Sequence, residues 1–132
     1  MIIISIDPGL RHTGVVMFRF YENKLLGSFF ATLREPNLYN LLNKMARFSK
    51  EIVIERMPLN LQYPLSEIVS KINGSFQNMQ VTFISPATWK PISKAQGWYD
   101  PNAKTQHEQD AFCMLQYYLM FYKGKFRNEN YT

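Results

Sequence analysis

Four side chains with metal-binding chemistry fall where a fold can gather them: Asp7, Glu55, His107 and Asp110. Asp7 ends the apolar run Ile2-Ile3-Ile4-Ser5-Ile6, and Glu55 ends Ile52-Val53-Ile54. If the two runs are adjacent parallel strands, their terminal carboxylates converge. His107 and Asp110 are three apart, so a helix sets them on one face near its first turn. Gathered carboxylates repel one another and are costly to bury unless cations neutralise them. An oxygen-rich set with few nitrogens suits Mg2+ or Mn2+, and two such ions about 4 Å apart can activate a water and stabilise a leaving oxygen in phosphodiester cleavage. Each residue also has a plainer reading. Asp7 before Pro8-Gly9 fits a turn, Glu55 a solvated strand end, His107 a surface position, and Asp110 a partner of the helix dipole. The metal hypothesis rests on their combination.

The elements that must position these residues can be read from the apolar pattern. Ile2 to Ile6 is β-branched and buried in character, and Asp7-Pro8-Gly9 ends it. Val15 to Tyr21 and about Lys24 to Ala31 continue as strands around a turn at Glu22-Asn23, making an antiparallel meander. From Pro36, Leu38, Leu41, Leu42, Met45 and Phe48 recur at helical spacing and predict a helix of about 13 residues. Glu51 to Glu55 is a fourth strand, and Leu65 to Met79 a second helix with Ser66, Ser70 and Gly74 on a small-residue face. Gln80 to Ser85 is a fifth strand. Pro86 opens a short helix capped by Ser85 and stopped by Pro91, and residues 91–104 read as a loop. Thr105-Gln106-His107-Glu108 is a capping-box pattern opening a long helix through Tyr122 that buries Ala111, Met114, Leu115, Tyr118 and Tyr122. Strand-helix-strand connections require parallel neighbours, so the class is α/β: a mixed five-stranded sheet with helices on both faces. This is the element order expected of the ribonuclease H-like fold.

Composition narrows the partners. The 132 residues suit one domain, expected over 1–122, followed by a polar, basic tail over 123–132. Fifteen Lys and Arg against ten Asp and Glu leave a formal charge of +5, which favours a polyanion. The single Cys113 excludes a disulfide framework or a multi-cysteine zinc site and fits a reducing compartment. No apolar run reaches the roughly 18 residues that span a bilayer, so the expectation is a cytoplasmic protein without membrane attachment.

The run Ile3-Ile4-Ser5-Ile6-Asp7-Pro8-Gly9-Leu10-Arg11-His12-Thr13-Gly14 resembles the opening strand and turn of the RuvC-type Holliday-junction resolvases. Val53-Ile54-Glu55-Arg56 resembles the strand with that family's catalytic glutamate, and His107-Glu108-Gln109-Asp110-Ala111 its closing helix. Ser85-Pro86-Ala87-Thr88-Trp89-Lys90 is similar to a segment of compact phage-type members. The resemblance implies that Asp7, Glu55, His107 and Asp110 are catalytic and metal-binding. It further implies Mg2+, with Mn2+ as a substitute, and a homodimer in a bacterial or phage-infected cell that cuts two strands of a four-way DNA junction, leaving 5′-phosphate and 3′-hydroxyl ends. Asp7 would bridge two ions, Glu55 and Asp110 would complete separate spheres, and His107 would be a ligand or a proton-handling neighbour of the attacking water. The chain departs from the cellular members in two places. Only residues 91–104 join Lys90 to Thr105, where those members carry a longer, lysine-bearing segment with an extra helix. Arg56-Met57-Pro58 offers no aromatic wedge after the glutamate.

DNA contacts are expected from Arg11, Arg56, Lys90, Lys94 and Lys104 through phosphates, and from Tyr63 and Trp98, with Tyr99, through stacking on unpaired bases. Lys123, Lys125 and Arg127 would extend the track. Solubilising charge and aromatics capping the core are the plainer readings. The Ser66, Ser70 and Gly74 face fits a dimer contact or packing on the chain's own sheet. Three other functions remain open at this level: a metal nuclease for flaps, forks or RNA-DNA hybrids, a catalytically silent nucleic-acid-binding module, and a phosphotransferase of the actin and hexokinase type. The last needs two such domains around a cleft.

Overall fold

Side-chain alternation along the strands decides which residues meet which layer. The computed structural model describes residues 1–22, 24–45, 49–56, 70–72, 74 and 80–123. Its strands are β1 (Ile2–Asp7), β2 (Thr13–Tyr21), β3 (Lys24–Leu33), β4 (Ser49–Glu55) and β5 (Gln80–Ile84). Its helices are α1 (Asn37–Met45), α2 (Pro86–Gln96) and α3 (Gln106–Tyr117), which continues as a π-helical stretch over Tyr118–Lys123. The five strands form one sheet in the order β3-β2-β1-β4-β5. β1, β2 and β3 are antiparallel neighbours, whereas β1 with β4 and β4 with β5 are parallel.

Two apolar clusters follow from this alternation. Ile3, Val16, Phe18, Val53 and Ile84 pack with Trp89 of α2 and with Phe112 and Leu115 of α3. Their neighbours along the strands, Ile4, Ile6, Val15, Met17, Ile52 and Ile54, pack on the other face with Leu38 and Leu42 of α1 and with Ile72. Helices therefore cover both faces, as expected. Asp7 and Glu55 share strand parity with Ile3 and Val53, so they belong to the face covered by α2 and α3.

Several boundaries differ from the sequence reading. β2 begins earlier and β3 ends later, because Thr13 pairs with Leu33 and carries the ladder to the sheet edge. α1 has nine residues rather than about 13, and Phe48 lies outside the described residues. The expected stop at Pro91 does not occur. Proline removes one backbone bond, but Pro91 is exposed while Trp89 and Ser93 are buried on the inner face. Ser85 accepts a hydrogen bond from the Ala87 N–H, and the helix ends instead at Gly97, whose φ of 67° is left-handed and whose N–H reaches back to Lys94 and Ser93. Lys94 thus lies in the last turn of a helix, not in a loop. The closing helix changes at Tyr118 from α to π geometry. At its start, Thr105 Oγ1 accepts from the Glu108 N–H at 3.1 Å. The Glu108 carboxylate departs from a capping box: it accepts from the Lys104 N–H at 3.1 Å and from Thr32 Oγ1 at 2.5 Å.

Of the second helix expected over Leu65 to Met79, residues 70–72 and 74 are described and are helical. Ile72 is buried and Ser70 and Gly74 are exposed. Ser66 lies outside the described residues, as do Lys125 and Arg127 in the tail. Among the described residues no helix is long and apolar enough to cross a membrane.

Phe112 joins the sheet to α3, with its ring edge-on to Phe18 at 6.1 Å and 1% exposed. Phe112→Ala should cost about 3–5 kcal/mol. A urea titration followed by tryptophan fluorescence should show the midpoint moving down with little change in slope.

Candidate active site

Parallel pairing of β1 with β4 sets Ile6 opposite Ile54, so Asp7 and Glu55 emerge side by side at the same edge. Asp7 is nearly enclosed, with 9% of its side chain exposed, and its Oδ2 lies 3.2 Å from His107 Nδ1. Beside it, the Glu55 oxygen Oε2 is buried without a partner.

The electrostatics of both acids reflect this enclosure. Burial raises Asp7 above the ordinary carboxylate range to about 7, and the negative charge of Asp110 adds to it, against the Glu55 hydrogen bond and the Lys90 ammonium. Burial likewise raises Glu55 to about 8, reinforced by Asp7 and more weakly by Asp110, with Lys90 opposing. Lys90 on α2 is therefore a member of this edge. Its ammonium also sits over the Trp89 ring at 5.5 Å.

His107 and Asp110 stand in the first turns of α3. The His107 ring is 44% exposed, so it is reachable from solvent where Asp7 is not. Asp110 is half-buried, and its Oδ1 accepts from Gln106 Nε2 at 2.7 Å. All four expected ligands lie at one edge, but among the described residues no group of three His, Cys, Asp or Glu side chains is placed so that it could hold a metal ion. The donor chemistry nevertheless fits a hard divalent cation: oxygen ligands, one imidazole, an unpartnered carboxylate oxygen, and two acids whose burial disfavours their charged forms.

The expected DNA-contacting residues are more scattered. Arg11 is exposed in the β1–β2 turn and Arg56 is exposed just beyond Glu55, its N–H donating to the Ile84 carbonyl at 2.8 Å. Lys94 is exposed at the end of α2 and Lys104 just before α3. Trp98 is half-buried against the core and Tyr99 is exposed. Tyr63 lies outside the described residues.

Three supporting contacts were not legible from type and spacing. Gly14 pairs with Asp7 across β1 and β2, and a Cβ there would collide with the His107 carbonyl oxygen, so only glycine lets α3 come so close. Glu108, buried at 5% exposure, ties the α3 start to Thr32 of β3. Arg34 donates from Nε to His12 Nε2 at 2.9 Å. Gly14 stands inside the run that carried the resemblance. Nothing local in the sequence marks Thr32 or Arg34, because both act through residues far along the chain.

A β3-β2-β1-β4-β5 mixed sheet, with helices on both faces and acids at the ends of its central strands, is a ribonuclease H-like fold. No protein-family model matches the chain, and no curated protein does. Solved structures do match. A Thermus thermophilus RuvC in complex with Holliday junction substrate aligns with a TM-score of 0.64 at 15% identity, over 96% of this chain and 98% of that one. A second T. thermophilus RuvC structure gives 0.59 at 16% identity, over 95% and 98%. The fowlpox virus Holliday junction resolvase gives 0.59 at 18%, over 90% and 98%. The architecture is that of the RuvC-type resolvases.

Two consequences can be measured. The protons held by Asp7 and Glu55 stabilise the fold at low pH, and that contribution is lost as pH rises through about 7 and about 8. Thermal unfolding of the metal-free protein should show the melting temperature falling between pH 5 and 8. Glu55→Gln should flatten the slope, and Mg2+ or Mn2+ should raise the melting temperature most at the alkaline end. Separately, Gly14→Ala should push α3 away from β2 and weaken Mn2+-induced stabilisation at least tenfold in apparent affinity, read from the metal dependence of the melting temperature.

Proposed function

We propose that this chain is a divalent-metal-dependent endonuclease that resolves four-way DNA junctions by paired phosphodiester hydrolysis. The observation that carries the reading is the meeting of Asp7 and Glu55 at the ends of adjacent parallel strands, with His107 against Asp7 and an unpartnered Glu55 oxygen. Support comes from the fold, seen in a RuvC bound to Holliday junction substrate. Asp7, Glu55 and Asp110 would hold Mg2+ or Mn2+, leaving His107 as the proton-handling neighbour of the attacking water. When bound, two such ions would neutralise the acids and polarise the scissile phosphodiester.

The chain's own residues would then divide the work. Asp7 orients the His107 ring through Nδ1, and the exposed ring can accept a proton from the attacking water. As the water oxygen bonds to phosphorus, the bond from phosphorus to the 3′ oxygen breaks, and that oxygen takes a proton from solvent. The products are a 5′-phosphate and a 3′-hydroxyl. The Lys90 ammonium, within electrostatic reach of both buried acids, would draw the phosphate to this edge. Arg11, Arg56, Lys94 and Lys104, all exposed, would contact the flanking backbone.

Cutting two strands of a symmetrical branch suits a homodimer. Exposure of Ser70 and the open space over Gly74 favour that use of the small-residue face over packing on the chain's own sheet.

The deciding assay compares a four-way junction, a flap, a linear duplex and an RNA-DNA hybrid under Mg2+ and Mn2+ titration. Paired nicks confined to the junction are expected, and preferential cleavage of flaps or hybrids would replace the substrate assignment. Asp7→Asn should reduce cleavage by at least a thousandfold while leaving junction binding within about threefold. Full Mg2+-dependent cutting by that variant would remove the site assignment.

A further inference from the structure

On the far side of the β1–β2 turn a groove of about 540 Å³ is lined by Gly9, Arg11, Thr13, Leu33, Arg34 and Leu38. Gly9 joins it to the acidic edge, since a Cβ at that position would lie 3.3 Å from His107 Cε1. The groove therefore begins where the exposed histidine ring ends.

Its charge is set by two guanidinium groups. Arg34 Nε donates to His12 Nε2, which uses one edge of the guanidinium and requires the His12 proton to sit on Nδ1. The terminal amino groups of Arg34 keep the fork that grips two oxygens of one anion. Among the described residues neither Arg11 nor Arg34 is paired with a carboxylate. The acid on the groove's rim, Glu35, is engaged elsewhere: the Tyr39 hydroxyl donates to its Oε1 at 2.8 Å. A fork-shaped cation, aimed by a neutral histidine and contiguous with a phosphodiester-cleaving edge, matches the geometry of a backbone phosphate better than that of a lone carboxylate.

We propose that this groove is a second phosphodiester subsite. It takes a backbone phosphate of the cleaved strand beyond the scissile one, with Arg34 as the gripping residue, Arg11 as its partner and His12 as the residue that orients Arg34. The inference rests on the nuclease reading and deepens it, because it says how a strand is held in register across the acidic edge.

The test uses full-length Asp7→Asn protein and an immobile four-way DNA junction, with binding followed by fluorescence anisotropy in Mg2+ at several salt concentrations. Adding Arg34→Ala should weaken binding about tenfold and reduce the slope of log affinity against log salt by about 0.9 for each phosphate that is no longer neutralised. Arg34→Lys, which keeps the charge without the fork, should fall between. Arg34 is exposed, so these variants should keep the parent's melting temperature; Arg34→Gln repeats the measurement with a side chain of similar reach. A single methylphosphonate walked along the strand beside the cleavage point should weaken binding at one position for Asp7→Asn and leave Asp7→Asn/Arg34→Ala unaffected there. Equal affinities and slopes, or the same methylphosphonate profile in both proteins, would overturn the subsite while the nuclease reading stands. A folded Asp7→Asn parent that binds no junction at all would overturn both.

Discussion

Two carboxyl groups, Asp7 and Glu55, are forced together in a largely enclosed place by the parallel pairing of β1 and β4. Burial raises both above the ordinary carboxylate range, with the negative charge of Asp110 adding to it at Asp7 and that of Asp7 adding to it at Glu55. The arrangement is unfavourable by itself, and added positive charge would relieve it. The rest of the structure sustains it: buried strands on either side, an apolar layer on each sheet face, and the Lys90 ammonium on α2 as the local counter-charge.

The start of α3 is the second half of that arrangement. It brings His107 against Asp7 and Asp110 within electrostatic reach of both acids, and its N-terminal backbone dipole is itself favourable to negative charge. Its position depends on contacts with two different strands. Gly14 of β2 permits the His107 backbone to approach, and Glu108 binds Thr32 of β3 and the Lys104 N–H. Glu108 thus acts less as a local cap than as a brace between the sheet and the helix that carries two of the candidate ligands.

The positive charge has a distribution that the total of +5 conceals. Lys90 lies with the acids, Arg56 follows Glu55, and Arg11 and Arg34 flank a groove that starts at Gly9. Cations therefore stand on both sides of the acidic edge. A strand crossing that edge would meet positive charge before and after the point of chemistry, which is how a small domain can hold a polyanion over carboxylates.

Much of this was legible from sequence because it depends on local periodicity. β-Branched runs ending in Asp7 and Glu55, the three-residue spacing of His107 and Asp110, and the Thr105 cap each express themselves within a few residues. They determined the element order, the sheet class and the four candidate ligands. The extension of α2 through Pro91 was not legible, because buried Trp89 and Ser93 and the Gly97 cap outweigh a local helix-breaking signal. Nor were the partnerships of Arg34 with His12, Glu108 with Thr32, and Gly14 with the His107 backbone. Each joins residues on different elements, and only tertiary packing sets the distance between them. Sequence determined which groups are present and at which strand or helix ends they stand; tertiary structure decided how closely they approach, and so how strongly burial and charge act on them.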